Sequence, residues 1–204
     1  MKVIGLTGGI ATGKSTVAKL LRYEFSAPVI DADKVAREVV APGRPTLAKI
    51  VEKFGKDVLL ADGSLDRAKM RAMIVADADA RHALEGITHP AIQEAMLRKL
   101  SSMAMEGAPV AVIEAALMVE TGSYLVYEAV IVVGCAPETQ LRRLMARDNC
   151  TEESARAMIG TQLSIVEKEK HGTYVIHNDG TQDELKAAVT AVWADVMPPE
   201  SGAS

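Results

Sequence analysis

Near its N-terminus the chain carries Gly8-Gly9-Ile10-Ala11-Thr12-Gly13-Lys14-Ser15, a full match to G-x-x-x-x-G-K-[ST]. Residues of these types at this spacing bind the phosphates of a nucleoside triphosphate. Glycine lets the backbone approach a phosphate closely, and successive N–H groups point inward. The helix that follows aims its unsatisfied N–H groups and positive dipole end at the same anion. Gly9, Ile10, Ala11, Thr12 and Gly13 would form the cradle. Lys14 would reach the β- and γ-phosphates, Ser15 would ligate Mg²⁺, and Thr16 would add a hydroxyl contact from the first helical turn. A glycine-rich turn can match by chance, so context decides. Here an apolar strand precedes the match and a helix follows it.

Asp31-Ala32-Asp33 stands at the end of a second apolar run. In an open parallel sheet the carboxyl ends of the strands face the ligand crevice. One of these carboxylates could orient an acceptor hydroxyl, and one could sit in the outer sphere of Mg²⁺. Asp33 is the better candidate for the first task. Asp31 is equally suited to cap the helix that follows. Arg142, Arg143 and Arg147 lie on a charged helix, with Arg143 and Arg147 on one face. They could close over transferring phosphate, or pair with Asp148, Glu152 and Glu153 on a solvated face.

The elements that must position these residues follow from periodicity. Lys2–Leu6 reads as a buried strand, Ser15–Phe25 as a helix and Ala27–Ile30 as a second strand. Strand, glycine-rich turn, helix, strand opens a parallel α/β sheet. From Ala32 to Gly107 strand signals nearly vanish. Leu47, Ile50, Val51 and Phe54 have helical spacing, as do Met70, Met73 and Ile74. The pattern continues through Leu84, Ile87, Ile92, Met96, Leu97 and Leu100, with a break expected at Pro90. Pro109–Ile113 and Ala129–Val133 resume the sheet. Pro137 suits a first helical turn, and one helix is expected over Glu138–Met158. Tyr174–Ile176 is a last strand, and Thr181 with Glu184 forms a capping box for a final helix to about Trp193.

Composition narrows the function. The 204 residues carry a formal net charge of −4, 49% hydrophobic and 3% aromatic residues. No single-sign field suits DNA or an anionic membrane, and aromatics are too few for a base-stacking platform. No apolar run has membrane-spanning length, and Met1-Lys2 opens no secretory leader. Cys135 and Cys150 show no CxxC spacing, and the four histidines no metal-ligand pattern. A reduced, cytoplasmic chain with small-molecule substrates is the expectation. A guanine-reading Asn-Lys-x-Asp is missing, which disfavours a GTPase. The long helical insertion disfavours the compact small-molecule kinases.

In this order the motifs resemble the dephospho-CoA kinase family over nearly the whole chain. Ile4-Gly5-Leu6-Thr7-Gly8-Gly9-Ile10 with Gly13-Lys14-Ser15-Thr16 is similar to its phosphate loop, or P-loop. Val29-Ile30-Asp31-Ala32-Asp33, Ala36-Arg37-Glu38-Val39-Val40 and Pro42-Gly43 resemble its second motif. Phe54-Gly55, Asp62-Gly63-Ser64-Leu65-Asp66-Arg67 and His89-Pro90 match landmarks of its helical region, and Leu144-Met145-Ala146-Arg147-Asp148 its lid.

The resemblance implies a P-loop NTPase-type α/β fold, a parallel sheet flanked by helices. The core would be 1–32, 108–137 and 172–197, with a helical acceptor-binding insertion at 33–107, a helical lid at 138–171 and a frayed tail at 198–204. It implies ATP and 3′-dephospho-CoA as substrates and Mg²⁺ as cofactor, with neither nucleic acid nor membrane as partner. Asp33 would be the catalytic base, assisted by Lys14 and Arg147. Arg143, Asn178 and Gly180 would contact ATP, and Arg37, His89 and Gln162 the acceptor. Three positions depart from the family pattern. Ala11 replaces a usual glycine, so no positive φ is expected there. Glu114 stands where an aspartate is usual, and it is not assigned to the metal. His177 stands where an aspartate is common.

Overall fold

A computed structural model describes residues 1–197; the expected tail at 198–204 lies outside the described residues. The chain divides into two compact units, one of residues 1–30 and 106 onward, the other of residues 31–105.

In the first unit, β1 (Lys2–Gly8), β2 (Val29–Asp31), β3 (Val110–Glu114), β4 (Ala129–Gly134) and β5 (Tyr174–His177) form one sheet in the order β2-β3-β1-β4-β5. β1 pairs in parallel with β3 and β4, and β4 with β5. The interior strands are buried on both faces, which is why they read as nearly continuous apolar runs. One face packs Ile4, Leu6, Val110, Val112, Ile131 and Val133 against α1 (Lys14–Glu24) and α9 (Gln182–Val196). Val17 and Leu21 supply the α1 side of that core, and Leu185, Val189 and Trp193 the α9 side. The other face packs Val130 and Val132 on Met118. A Cβ on Gly5 would come within 2.6 Å of the Met118 sulfur, so this position needs the small residue. Because β1 has β3 on one side and β4 on the other, its carboxyl end is the topological switch point where α/β sheets bind ligands.

Helices α6 (Pro137–Asp148), α7 (Glu152–Ile159) and α8 (Ile165–Glu169) complete this unit. The single helix expected over Glu138–Met158 is therefore two. Asn149 takes the left-handed conformation at φ 48° and ends α6, and the Thr151 side chain accepts from Ser154 N–H to start α7.

The second unit is helical: α2 (Ala32–Glu38), α3 (Pro45–Phe54), α4 (Arg67–Ala76) and α5 (Ala78–Met105). Val40, Ile50, Val58 and Met70 form its small core, joined by Phe54, Leu84 and Ile87. Asp66 caps α4 by accepting from Lys69 N–H at 2.9 Å. The break expected at Pro90 does not occur, because α5 runs through it for 28 residues. Proline removes one backbone hydrogen bond and costs about 3 kcal/mol in a helix interior. Packing of α2, α3 and α4 along α5 offsets that cost. Among the described residues no helix is long and apolar enough to cross a membrane.

Candidate active site

The loop from Gly8 to Gly13 connects β1 to α1 and is tied at several points. Thr12 is buried, and its hydroxyl donates to the Gly9 carbonyl at 2.9 Å. Gly13 adopts φ 94°, and a Cβ there would lie 2.0 Å from the Asn178 side-chain nitrogen, so this glycine is obligatory. α1 then begins at Lys14 without a side-chain cap, leaving its first N–H groups to an anion.

Ala11 overturns the expectation drawn from its identity. It adopts φ 60°, in the left-handed region, although it carries a Cβ. That conformation costs about 1–2 kcal/mol for an L-residue. The neighbours of the loop hold this dihedral even with an alanine in place. The neighbouring Ile10 is held on both sides: its N–H donates to the Gln162 side-chain oxygen at 2.9 Å, and its carbonyl accepts from the Gln140 amide at 2.9 Å.

Lys14 and Ser15 converge on Glu114. The Lys14 ammonium lies 2.6 Å from a Glu114 oxygen, and the Ser15 hydroxyl donates to the same oxygen at 3.4 Å. Both partners of the ion pair are largely buried, with side-chain exposures of 13% and 9%. Glu114 ends β3 in register with Leu6 of β1, so the sheet itself aims the carboxylate at the loop. The extra methylene does not take it out of reach, and the residue left unassigned from sequence sits at the centre of the site.

A cleft of about 230 Å³ opens beside the start of α1, lined by Gly13, Thr16, Arg143, Asn178, Gly180 and Thr181 among others. Five residues expected to bind ATP are thus gathered in one place. Their framework is a short hydrogen-bonded chain. Asn178 donates to the Thr12 carbonyl at 2.8 Å, and Arg143 donates to the Asn178 carbonyl at 2.7 Å. Asp179 accepts the Ala136 N–H at 2.9 Å, and this bond, aided by Arg143, holds its carboxyl below the usual range. Arg147 is not drawn into this chain. It lies on the last turn of α6, is more than half exposed and forks onto Asp148 at 2.7 and 2.9 Å.

Gln162, which the resemblance assigns to the acceptor, accepts the Ile10 N–H of the P-loop. Its loop is pinned from beside: Leu163 N–H donates to Glu120 at 2.9 Å, and the fully buried Lys168 donates to Glu120 and to the Ala116 carbonyl at 2.7 Å. Burial pushes the Glu120 carboxyl up, but Lys168 and the backbone N–H groups outweigh it and hold it below its ordinary value.

In the helical unit, Asp31 accepts from Lys34 N–H at 2.8 Å and so caps α2. Asp33 and Arg37 are exposed, one helical turn apart on α2, and His89 is exposed on α5. A groove of about 890 Å³ runs between α2, α3 and α5, with Arg44, Lys49, Ile87 and Ala91 among its lining. Its acids are already paired, Glu38 with Lys99 at 3.4 Å and Glu94 with Arg98. Arg44 and Lys49 have no acidic partner among the described residues.

Comparison with known proteins agrees across the chain. The dephospho-CoA kinase family model matches residues 2–184. A dephospho-CoA kinase of Geobacter sulfurreducens is 44% identical over 198 residues, covering 97% of this chain and 100% of that one. A solved structure from Thermus thermophilus superposes with a TM-score of 0.82 at 31% identity, over 96% of this chain and 98% of the other. The dephospho-CoA kinase of Campylobacter jejuni gives a TM-score of 0.68 at 28% identity, over 96% and 98%.

Proposed function

The chain belongs to the dephospho-CoA kinase family, and we propose how its own residues carry that reaction. The reaction moves the γ-phosphoryl group of ATP to the 3′-hydroxyl of the dephospho-CoA ribose, giving CoA and ADP, the last step of CoA synthesis. One observation carries the assignment of roles: Lys14, Ser15 and Glu114 meet within hydrogen-bonding reach at the carboxyl ends of β1 and β3, beside an anion cradle.

Glu114 serves as the resting partner of Lys14. When ATP arrives, the β- and γ-phosphates compete for the ammonium and release the carboxylate. The N–H groups of Ala11, Gly13, Lys14 and Ser15, which donate to no backbone carbonyl among the described residues while those of Thr12 and Thr16 donate to Gly9 and Gly13, receive the phosphates, and Arg143, Asn178 and Gly180 line the nucleotide cleft. Mg²⁺ fits the donor set, because a serine hydroxyl and a carboxylate are hard oxygen ligands. Ser15 and Glu114 would hold it, with Asp31 in its outer sphere. Bound there, it would neutralise charge on the phosphate oxygens.

Asp33 orients the acceptor hydroxyl. As the oxygen bonds to the γ-phosphorus and the β–γ bridge opens, the hydroxyl proton passes late to its carboxylate, as a loose transition state requires. Arg147 serves as the lid residue by exchanging Asp148 for the transferring phosphate, with residues 138–171 as the lid. The helical unit takes the acceptor, with Arg37 and His89 on that side. Its groove supports this reading, since the unpaired Arg44 and Lys49 suit the acceptor's diphosphate and Ile87 and Ala91 its pantetheine arm. The working environment is the cytoplasm, with small molecules as the partners.

A coupled ADP-release assay tests the reading. Turnover with ATP and Mg²⁺ should depend on dephospho-CoA and be negligible with shikimate, adenosine or no acceptor. Equal ADP release without acceptor would overturn it.

A further inference from the structure

The P-loop contains a left-handed alanine, and the residue before it is gripped from two sides by side chains distant in sequence. Ala11 has φ 60°. A strained dihedral persists only where the surroundings over-determine it. Three contacts do so here. Thr12 holds the Gly9 carbonyl at 2.9 Å, Gln162 holds the Ile10 N–H at 2.9 Å, and Gln140 holds the Ile10 carbonyl at 2.9 Å. In a trans peptide the carbonyl and the next N–H point in opposite directions. Fixing the Ile10 carbonyl on Gln140 therefore turns the Ala11 N–H to the opposite side of the loop. Space closes the same way: a Cβ on Gly9 would meet Ile165 at 2.7 Å and Gln140 at 2.8 Å.

The two glutamines are themselves anchored. Gln140 is buried on α6. Gln162 lies between α7 and α8, next to Leu163, whose N–H is held by Glu120. Glu120 in turn is held by the fully buried Lys168, which also donates to the Ala116 carbonyl. The segment after β3 is thereby linked to the P-loop through Glu120, Leu163 and Gln162.

We infer that Gln140 and Gln162 are positioning residues that clamp Ile10 and so hold Ala11 in the left-handed conformation the phosphate cradle needs, with the Lys168–Glu120 pair setting Gln162. The inference rests on the reading of the loop as the ATP site. The clamp replaces a freedom that glycine would supply without help. Without it, Ala11 relaxes toward negative φ and the loop N–H groups lose their common direction.

The test uses the full chain and calorimetric binding of a non-hydrolysable ATP analogue, with thermal unfolding to verify folding. Gln162→Ala should weaken the analogue about tenfold and raise the KM for ATP similarly, while the KM for dephospho-CoA stays within twofold. That tenfold corresponds to about 1.4 kcal/mol. In an Ala11→Gly background the same substitution should cost threefold or less, because glycine holds the dihedral unaided. Equal losses in both backgrounds, or unchanged affinity in Gln162→Ala, would overturn the clamp. Gln140→Ala should show the same background dependence. If it unfolds, the Gln162 pair of measurements decides alone. Wild-type protein that fails to bind the analogue would overturn the ATP-site reading and the clamp together. Wild-type binding with an indifferent Gln162→Ala would overturn the clamp only.

Discussion

Replacing Glu114 by glutamine removes one charge from a largely buried pair and leaves its shape nearly intact. The Lys14 ammonium and the carboxylate are 2.6 Å apart. At an effective dielectric of about 20 their gross attraction is about 6 kcal/mol. The carboxylate's own desolvation cost disappears with its charge, so the net loss is smaller. Breaking a buried pair from one side typically costs about 3–5 kcal/mol. The glutamine oxygen can still accept from Lys14, which places this variant near about 3 kcal/mol. For a chain of this size each kcal/mol moves the unfolding midpoint by about 2–4 °C, so nucleotide-free Glu114→Gln should melt about 6–12 °C below wild type. Turnover in the ADP-release assay should fall about a hundredfold, the scale of a lost electrostatic stabiliser at the reacting phosphates. A midpoint within 1 °C and turnover within about twofold of wild type would refute both the pairing and the proposed metal contact.

Asp33→Asn should lower kcat about a hundredfold or more while calorimetry finds ATP-analogue affinity unchanged, because it removes a positioned acid–base group. Lost ATP affinity with normal turnover would move Asp33 to the metal. Arg44→Ala and Lys49→Ala should each raise the KM for dephospho-CoA about tenfold, the worth of one charge-assisted hydrogen bond, and leave the KM for ATP alone; an unaffected acceptor KM in the double variant would remove the groove from the acceptor site. Acid titration of stability should report Glu120, whose folded carboxyl sits below its ordinary value of about 4.5. A depressed carboxyl stabilises the fold above its unfolded pKa, and that contribution is lost as pH falls from about 4.5 through the folded value. Thermal midpoints should drop over that interval, and Glu120→Gln should flatten the drop. An identical acid profile in the variant would dissociate Glu120 from it.

The features legible in the sequence are those written in short-range spacing. The P-loop declares itself within eight consecutive residues, Gly8 to Ser15, and its flanking strand and helix are equally local. The parallel sheet follows from apolar runs, and the last helix from the Thr181–Glu184 capping box, which forms as expected. The split after Asp148 had a local signal that helical charge pattern masked: Asn149 tolerates the left-handed conformation and Thr151 is a good N-cap. Pro90 shows the reverse, a strong local breaker overruled by packing along α5. Ala11 shows that a residue's identity does not reveal its φ when neighbours impose it. Those neighbours, Gln140 and Gln162, lie 130 and 152 residues from Ile10 in the chain, and no periodicity announces such a contact. Glu114 was visible as an acid ending a strand; its reach depended on the register of β3 against β1, which only the assembled sheet supplies.

The most direct measurement follows the phosphorus itself. ATP labelled at the γ-position is incubated with the enzyme, Mg²⁺ and dephospho-CoA, and the product is located by phosphorus NMR and mass spectrometry. Label is expected on the ribose 3′-oxygen of the product, with one ADP per CoA formed, and Lys14→Ala should lose that signal. Label appearing as free phosphate, or on another oxygen of the acceptor, would contradict the proposed transfer.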